Sequence, residues 1–327
     1  MPNLHVSESP WELPALSPGA IAAVDKPLLE VQAPNAHLQW VNEVLEARCS
    51  LWWQGVPAWP GHRLGVIGHF AAADERASSA LLDAACARLG AEGCTLGIGP
   101  MDGNTWRSYR FVTEPGEQPP FLLEPSNPPD WPQFWTRSGF RAFQGYQSSQ
   151  LDDFALGDPR LDAVRARLRE AGVRWRPLKA LDFEGELGRI FEVSEAAFEQ
   201  AVLYTPLPKA EFLAMYQKVR PYVREELVWI AEQGHRPVGF VFAVPDLAQA
   251  QRGEPVDTVI IKTLAILPDR ALAGLGKVLL EQAHAAARNL GMQHVIHALM
   301  HDGNRSTLMG AGARVIRRYT LLAKDLA

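Results

Sequence analysis

A chain of 327 residues, 47% apolar and 21% charged, has the makeup of an ordinary globular protein, and its length predicts two domains of about 150 residues rather than one core. Its net charge of −5 offers no basic footprint for nucleic acid, and no apolar run approaches the roughly 18 residues of a membrane span. Three cysteines, Cys49, Cys86 and Cys94, form no CxxC pair, which argues against a disulfide framework or a zinc site; with an N-terminus that lacks a signal-peptide pattern, they predict a cytoplasmic protein.

The first strong pattern along the chain is ASSALLDAACARLGAEG, a helix that stops at Gly93. The short strand CTLGIGPM and the turn Asp102-Gly103-Asn104 follow. The stretch from about 111 to 135, FVTEPGEQPPFLLEPSNPPDWPQFW, holds too much proline for one regular element. Its aromatics predict a rigid covering loop or part of a domain interface, packed against the protein. GFRAFQGY comes next, and DPRLDAVRARLREAGV, within 151–172, predicts a linking helix. From residue 173 the order reads strand (VRWRPLKAL), two helices (FEGELGRIFEVSEAAFEQA and PKAEFLAMYQKVR), and a hairpin turning at Gly234-His235. A long central strand, DTVIIKTLAILP, then leads to a helix whose apolar residues at 275, 278, 279, 283, 286 and 290 form one stripe. QHVIHALM is a strand, Asp302-Gly303-Asn304 a turn, and ARVIRRYTLLA is expected to close the sheet of this half.

Phrases recur in the same order. With Leu279-Leu280 set against Leu81-Leu82, Gly291 and Gly93 each fall eleven residues after the second leucine. Both copies continue into a short strand and Asp-Gly-Asn, and both end in a glycine and tyrosine seven apart, Gly312 to Tyr319 and Gly139 to Tyr146. Chance punctuation does not repeat in order, so the chain reads as one fold used twice. The expected class is α/β with a mixed α+β sheet. The expected domains are residues 1–150, carrying the insert at about 111–135, and 173–327, joined by the linking helix at 151–172.

Between central strand and long helix the second copy reads LPDRALAGLGKVLL. Glycines at a helix start let an anion approach the free N–H groups of the first turn; a tightly packed helix start is the alternative. The P-loop pattern fails because Val278 follows Lys277, and the dinucleotide fingerprint fails because Leu279 stands at its third glycine. The stretch from about 226 to 321, with LAILPD, GLGKVLLEQA, GMQHVIHAL and Asn304, resembles the GNAT acyltransferase superfamily. VLYTPL and VFAVPDLAQA also resemble two-domain bacterial GNAT-like proteins. The resemblance implies acetyl-CoA as co-substrate. It places backbone groups of Leu264 and Ile266 on the pantetheine arm, Arg270, Ala273, Gly274, Leu275 and Gly276 around the pyrophosphate, and Asn304 against the cofactor. Arg270 stands one residue farther from the first glycine than the family spacing. The first copy has Arg76-Ala-Ser78 at the glycine positions, after Asp74-Glu75, and carboxylates there repel phosphate, so that copy is read as degenerate.

Acyl transfer to an amine needs a neutral amine, a stabilised carbonyl oxygen and a proton for the departing thiolate. The family often uses a tyrosine on the helix after the asparagine, and NRSTLMGAG has none. Tyr319, His301 and Tyr204 are the candidate replacements, while His297 is read as pointing into the core. The expected reaction is N-acylation of an amine on a small molecule or peptide, with no nucleic acid or membrane as partner. Two alternatives stand beside it: a non-catalytic acyl-CoA-binding protein, and a tandem ligase-like transferase of the mycothiol-synthase or Fem type. The Fem-type version needs tRNA, which the acidic balance disfavours.

Overall fold

The computed structural model describes residues 3–13, 19–152, 154, 159–304 and 312–326. The first half contains β1 (Asn3–Ser7), α1 (Lys26–Gln32), β2 (Ala36–Asn42), β3 (Val44–Trp52), β4 (Leu64–Ala72), α2 (Glu75–Ala91), β5 (Leu96–Gly99), β6 (Phe111–Glu114), α3 (Trp131–Arg137) and β7 (Arg141–Leu151). Helix α4 (Arg160–Glu170) links it to β8 (Val173–Pro177), α5 (Phe183–Phe198), α6 (Lys209–Gln217), β9 (Val228–Gln233), β10 (Arg236–Pro245), α7 (Leu247–Gln251), β11 (Thr258–Ile266), α8 (Leu275–Asn289), β12 (His294–His301) and β13 (Arg314–Asp325).

The repeat seen in the sequence is a repeat in space. In each half an antiparallel hairpin leads into a central strand, a helix crosses over, and a parallel strand follows: β4, α2, β5 in one, β11, α8, β12 in the other. Strand β4 is buried along its whole length, as a strand covered on both faces should be. The matched glycines carry the matched backbone: Gly93 and Gly291 end their helices with φ of 80° and 82°.

One expectation is corrected. The strands form a single mixed sheet in the order β1-β2-β3-β4-β5-β13-β7-β12-β11-β10-β9-β8, with β6 also on β13. Strand β13, expected to close its own half, pairs instead with β5 of the first half, and β7 of the first half pairs with β12 of the second. The two closing strands are exchanged. They lie antiparallel to each other with Tyr146 opposite Tyr319, so the matched tyrosines sit at the junction between the copies. Sequence periodicity cannot reveal this, because either strand satisfies either edge equally well in local terms.

The insert is built into this junction. Phe121 is buried in the core of the second half, where the Leu122 N–H donates to Asp246 at 2.8 Å. Trp135 is fully buried in the core of the first half, edge-on to Phe70 and Phe111. The segment expected to pack against the protein therefore ties the two cores together. Each buried ring contributes a few kcal/mol, on the order expected for a large apolar side chain.

Candidate active site

The parallel ladder between β11 and β12 runs only from Thr258 and His294 to Ile261 and His297. Beyond that the strands diverge. Strand β12 has a bulge against β7 between His297 and Met300, and Leu299 within it takes the left-handed φ of 59°. A cavity of about 1100 Å³ fills the divergence. Residues Ile261 to Ile266 of β11 line one wall; the register against β10 shifts at Lys262, and beyond that bulge Leu264 and Ile266 share a face. Gly276 at the start of α8 lies at one end, and His301 and Asn304 line the β12 side.

The start of α8 suits an anion. Its N-cap is Gly274, with φ of 85° and no capping side chain, so the first-turn N–H groups are not taken by a cap. Val164 of α4 packs where a Gly274 side chain would stand, and Arg167 of α4 donates to the carbonyls of Ala271 and Ala273. The loop is thus held from outside by the linking helix. In the first half the corresponding position is occupied by the protein itself: Asp74 caps α2, accepting from the Ala77 N–H at 2.7 Å. The strand divergence there is also closed. The Met101 N–H donates to the Ile67 carbonyl at 2.9 Å, and the His69 N–H donates to Asp102 at 2.7 Å. Gly68 lies so close that a Cβ on it would sit 2.0 Å from the Met101 carbonyl oxygen.

The far wall of the cavity comes from the first half. Trp106, Tyr109 and Arg110 follow the first Asp-Gly-Asn turn and face the second half. The Trp106 indole N–H donates to the Thr205 carbonyl at 2.8 Å, and its ring packs edge-on to Phe198, Tyr204 and Phe212. Tyr146 on β7 completes this wall, in ring contact with Tyr109 and His301. The Arg110 guanidinium lies 4.0 Å and 4.2 Å from the ring centres of Tyr109 and Tyr146, a cation held on aromatic faces.

Titratable groups on the wall are shifted mainly by burial. Lys262 is pushed down to about 8 by burial, with the nearby Arg110 charge adding to the effect. His297, buried, is pushed down to about 4 and is neutral at pH 7; its Nε2 has no hydrogen-bond partner among the described residues. Burial also lowers His301, whose ring is engaged on both sides: Nε2 lies 2.8 Å from the Gln144 carboxamide oxygen and Nδ1 accepts the Gly303 N–H at 3.2 Å. Burial raises the phenols of Tyr146 and Tyr204, so both keep their protons at neutral pH.

The structure brings Leu264, Ile266, Gly276, Asn304, His301 and Tyr204 together around one cavity. Arg270, Ala273 and Gly274 lie outside it on the exposed loop, and Leu275 is fully buried under the helix. The tyrosine-free stretch after Asn304 falls within residues 305–311, outside the described residues. Tyr319 is not on the wall. It is fully buried, one strand beyond Tyr146, and its hydroxyl donates to Glu124 and lies 2.9 Å from Ser148. Sequence reading missed Trp106, Tyr109, Arg110, Tyr146 and Lys262. The first four belong to the half whose own site is closed, and only the strand exchange carries them to the other. Lys262 had a usable signal, a lone charge in the otherwise uncharged central strand TVIIKTLAI.

The acetyltransferase (GNAT) family matches residues 191–308, which span the cavity's strands and α8. The family match lies wholly within the C-terminal half. Solved structures share the architecture over nearly the whole chain. A GCN5-related N-acetyltransferase from Anabaena variabilis matches 99% of this chain and 73% of its own at 8% identity, with a TM-score of 0.54. Eis1 from Mycobacterium abscessus matches 100% of this chain and 74% of its own at 11% identity, with a TM-score of 0.50. The glucosamine N-acetyltransferase region of a fungal multi-domain β-N-acetylglucosaminidase matches 88% of this chain at 12% identity, with a TM-score of 0.53; the match spans 33% of that protein. No curated protein sequence matches the chain. The fold is therefore a tandem of two GNAT-like halves, the N-terminal one degenerate at its helix start. Among the described residues no helix is long and apolar enough to cross a membrane.

Proposed function

We propose that the protein is an acyl-CoA-dependent N-acyltransferase, with acetyl-CoA as donor, an amine of a small molecule or peptide as acceptor, and its site in the C-terminal half. The observation that carries this reading is the asymmetry between the halves. The C-terminal strand pair opens onto a cavity of about 1100 Å³ that reaches an uncapped glycine helix start, while the N-terminal pair is bonded shut and its helix is capped by Asp74.

The residues present fit the donor. Glycine at 274 and 276 leaves the first turn of α8 open to phosphate oxygens. From Lys262 to Ile266 the β11 edge that faced β12 carries no ladder partner, so its amide groups are free to meet an amide-bearing arm or a carbonyl oxygen. The thioester supplies the activated acyl group. The amine nitrogen forms a bond to the carbonyl carbon, the carbon–sulfur bond breaks, nitrogen gives up a proton and sulfur gains one. Tyr146 is assigned the proton to sulfur: its phenol is protonated, lines the cavity and is fixed between Arg110 and His301. Tyr204, beside Trp106 in the loop between α5 and α6, is assigned to the acceptor. The test is release of free CoA from acetyl-CoA against an amine panel, with acetyl-CoA affinity measured by calorimetry on the same protein. Tight acetyl-CoA binding with no turnover of any amine would overturn the catalytic reading.

A further inference from the structure

Two arginines, one glutamate and one lysine line the cavity: Arg107, Arg110, Glu124 and Lys262. Two of them are neutralised within the protein. Arg107 pairs with Glu211, and Glu124 pairs with Arg317 at 2.6 Å in a buried bridge whose side chains are 1% and 3% exposed. The other two form no direct ion pair among the described residues, although Glu124 lies within Coulombic range of Lys262. Arg110 is 7% exposed; its only protein acceptor among them is the Leu299 carbonyl at a long 3.4 Å, and its Nε has no partner. Lys262 donates only to the Leu123 carbonyl, at 3.1 Å.

This is an expensive arrangement for an empty cavity. A buried cation without a directly paired carboxylate is destabilising, and a second, half-buried cation within range of it adds to the cost. Arg110 is held there by backbone as well as by rings, since its φ of 66° is one that side-chain-bearing residues adopt only when the surroundings impose it. The positions of the two cations matter. Lys262 stands at the β11 register shift, four residues before Ile266 and about 13 Å along the strand from the end where α8 begins. Arg110 arrives from the opposite wall, beside Tyr146. Neither is at the helix start that suits phosphate. Both line the same cavity as Tyr204, which the reading proposed above assigns to the acceptor.

We propose that Arg110 and Lys262 form a carboxylate subsite, and that the acceptor is an amine carrying a carboxylate, as an amino acid or a peptide terminus does. The guanidinium offers a planar fork and the ammonium a single charge, which together fix a carboxylate in orientation as well as in place. The inference rests on the acyltransferase reading for the identity of the acceptor, but the subsite itself does not need turnover.

The experiment uses the full chain and four proteins: wild type, Arg110→Gln, Arg110→Lys and Lys262→Gln. Acetyl-CoA turnover is measured with L-amino acids and with their carboxamides, and N-acetyl-L-amino acids and their amides are titrated calorimetrically in the presence of CoA. The wild type is expected to prefer the carboxylate member of each pair. The glutamine variants are expected to lower that preference about 10- to 100-fold, the range for a charge-assisted hydrogen bond, and Arg110→Lys should restore a large part of it. If Arg110→Gln fails to fold, Arg110→Lys and Lys262→Gln carry the test. A wild type that prefers amides, or variants with unchanged preference, overturns the subsite. A preference for succinyl-CoA over acetyl-CoA that Arg110→Gln abolishes would put the carboxylate on the acyl group and overturn the acceptor assignment. Arg110-dependent binding of N-acetyl amino acids with no turnover would leave the subsite standing and remove the acyltransferase reading; turnover of neutral amines alone would do the reverse.

Discussion

Tyr319→Phe separates structure from chemistry at the junction of the two halves. The hydroxyl closes a chain that starts at the Leu299 N–H, which donates to Ser148 at 3.0 Å; Ser148 donates to Tyr319, and Tyr319 donates to Glu124. Glu124 receives Arg317 and the Phe121 N–H on its other oxygen. Removing the hydroxyl strips one oxygen of a buried carboxylate of its partner and leaves the Ser148 hydroxyl without an acceptor. A hydrogen bond to a charged group contributes about 1.5–3 kcal/mol and a neutral one about 1 kcal/mol, so the loss should be about 2–4 kcal/mol. The assay is urea unfolding with the midpoint read at constant slope, alongside kcat for acetyl transfer. Since Tyr319 is fully enclosed, kcat should stay within about threefold, whereas loss of a proton donor costs about 10²–10⁴-fold. A variant of wild-type stability with a hundredfold lower kcat would refute this and return Tyr319 to the mechanism.

Tyr146→Phe should show the opposite pattern, lowering kcat and kcat/KM together by about 10²-fold or more, as for a contact made only in the transition state; equal rates would clear Tyr146 of the role. Gly276→Glu should abolish acetyl-CoA binding by calorimetry, while Arg76→Glu, which puts a carboxylate in place of a cation at the exposed start of α2, should leave it intact; the reverse result would mean the halves are assigned backwards. His37, His69, His284 and His297 all have pKa values depressed chiefly by burial, His69 and His284 to about 3 and His297 to about 4. Their neutral forms favour the fold above the unfolded histidine value near 6.5, and that contribution is lost as pH falls, so the urea midpoint should drop steadily between about pH 6.5 and 4; a flat midpoint across that window would contradict it. A fragment beginning at Arg160 lacks β7 and β5, the partners of β12 and β13, and should fail to give a monomer that unfolds cooperatively; a stable, acetyl-CoA-binding monomer would show the exchange to be dispensable.

Much of the candidate cavity's second-half wall was legible because it depends on local chemistry. The glycines at 274 and 276, the apolar run of β11 and the Asp302-Gly303-Asn304 turn each announce themselves within a few residues, and the structure places Gly276, Leu264, Ile266 and Asn304 on one cavity. The linking helix and the hairpin at Gly234-His235 follow from periodicity and turn residues in the same way. What stayed hidden is non-local. Tyr146 and Tyr319 are equivalent in sequence, and only the pairing of β7 with β12 decides that the first reaches the cavity while the second is sealed behind it. Arg110 reads in sequence as a loop residue after a turn; its place between two tyrosine rings depends on contacts with β7 and β12. The closing of the first half, by His69 on Asp102 and Met101 on Ile67, likewise spans more than thirty residues and leaves no mark in composition.

The exchange also explains why a half with no open site of its own remains joined to one that has a cavity. Strand β7 covers the edge of β12, and without it that row of N–H and C=O groups would be bare. The chain that leads into β7 must therefore pass the C-terminal cavity on its way. That chain is the segment from Thr105 through the insert, and it supplies Trp106, Arg110, Glu124 and, on β7 itself, Tyr146. On the acyltransferase reading the donor would lie against α8 and the end of β11, elements fixed by core packing: Leu275, Val278 and Leu279 are fully buried. The opposite wall is built largely from loop, where changes of length and side chain disturb the core least. On that reading the second half holds the donor, and the first half, with Lys262, sets what faces it. A change at Arg110 or Trp106 can alter the acceptor without touching the α8 start, which is the separation the carboxylate-subsite experiment measures directly.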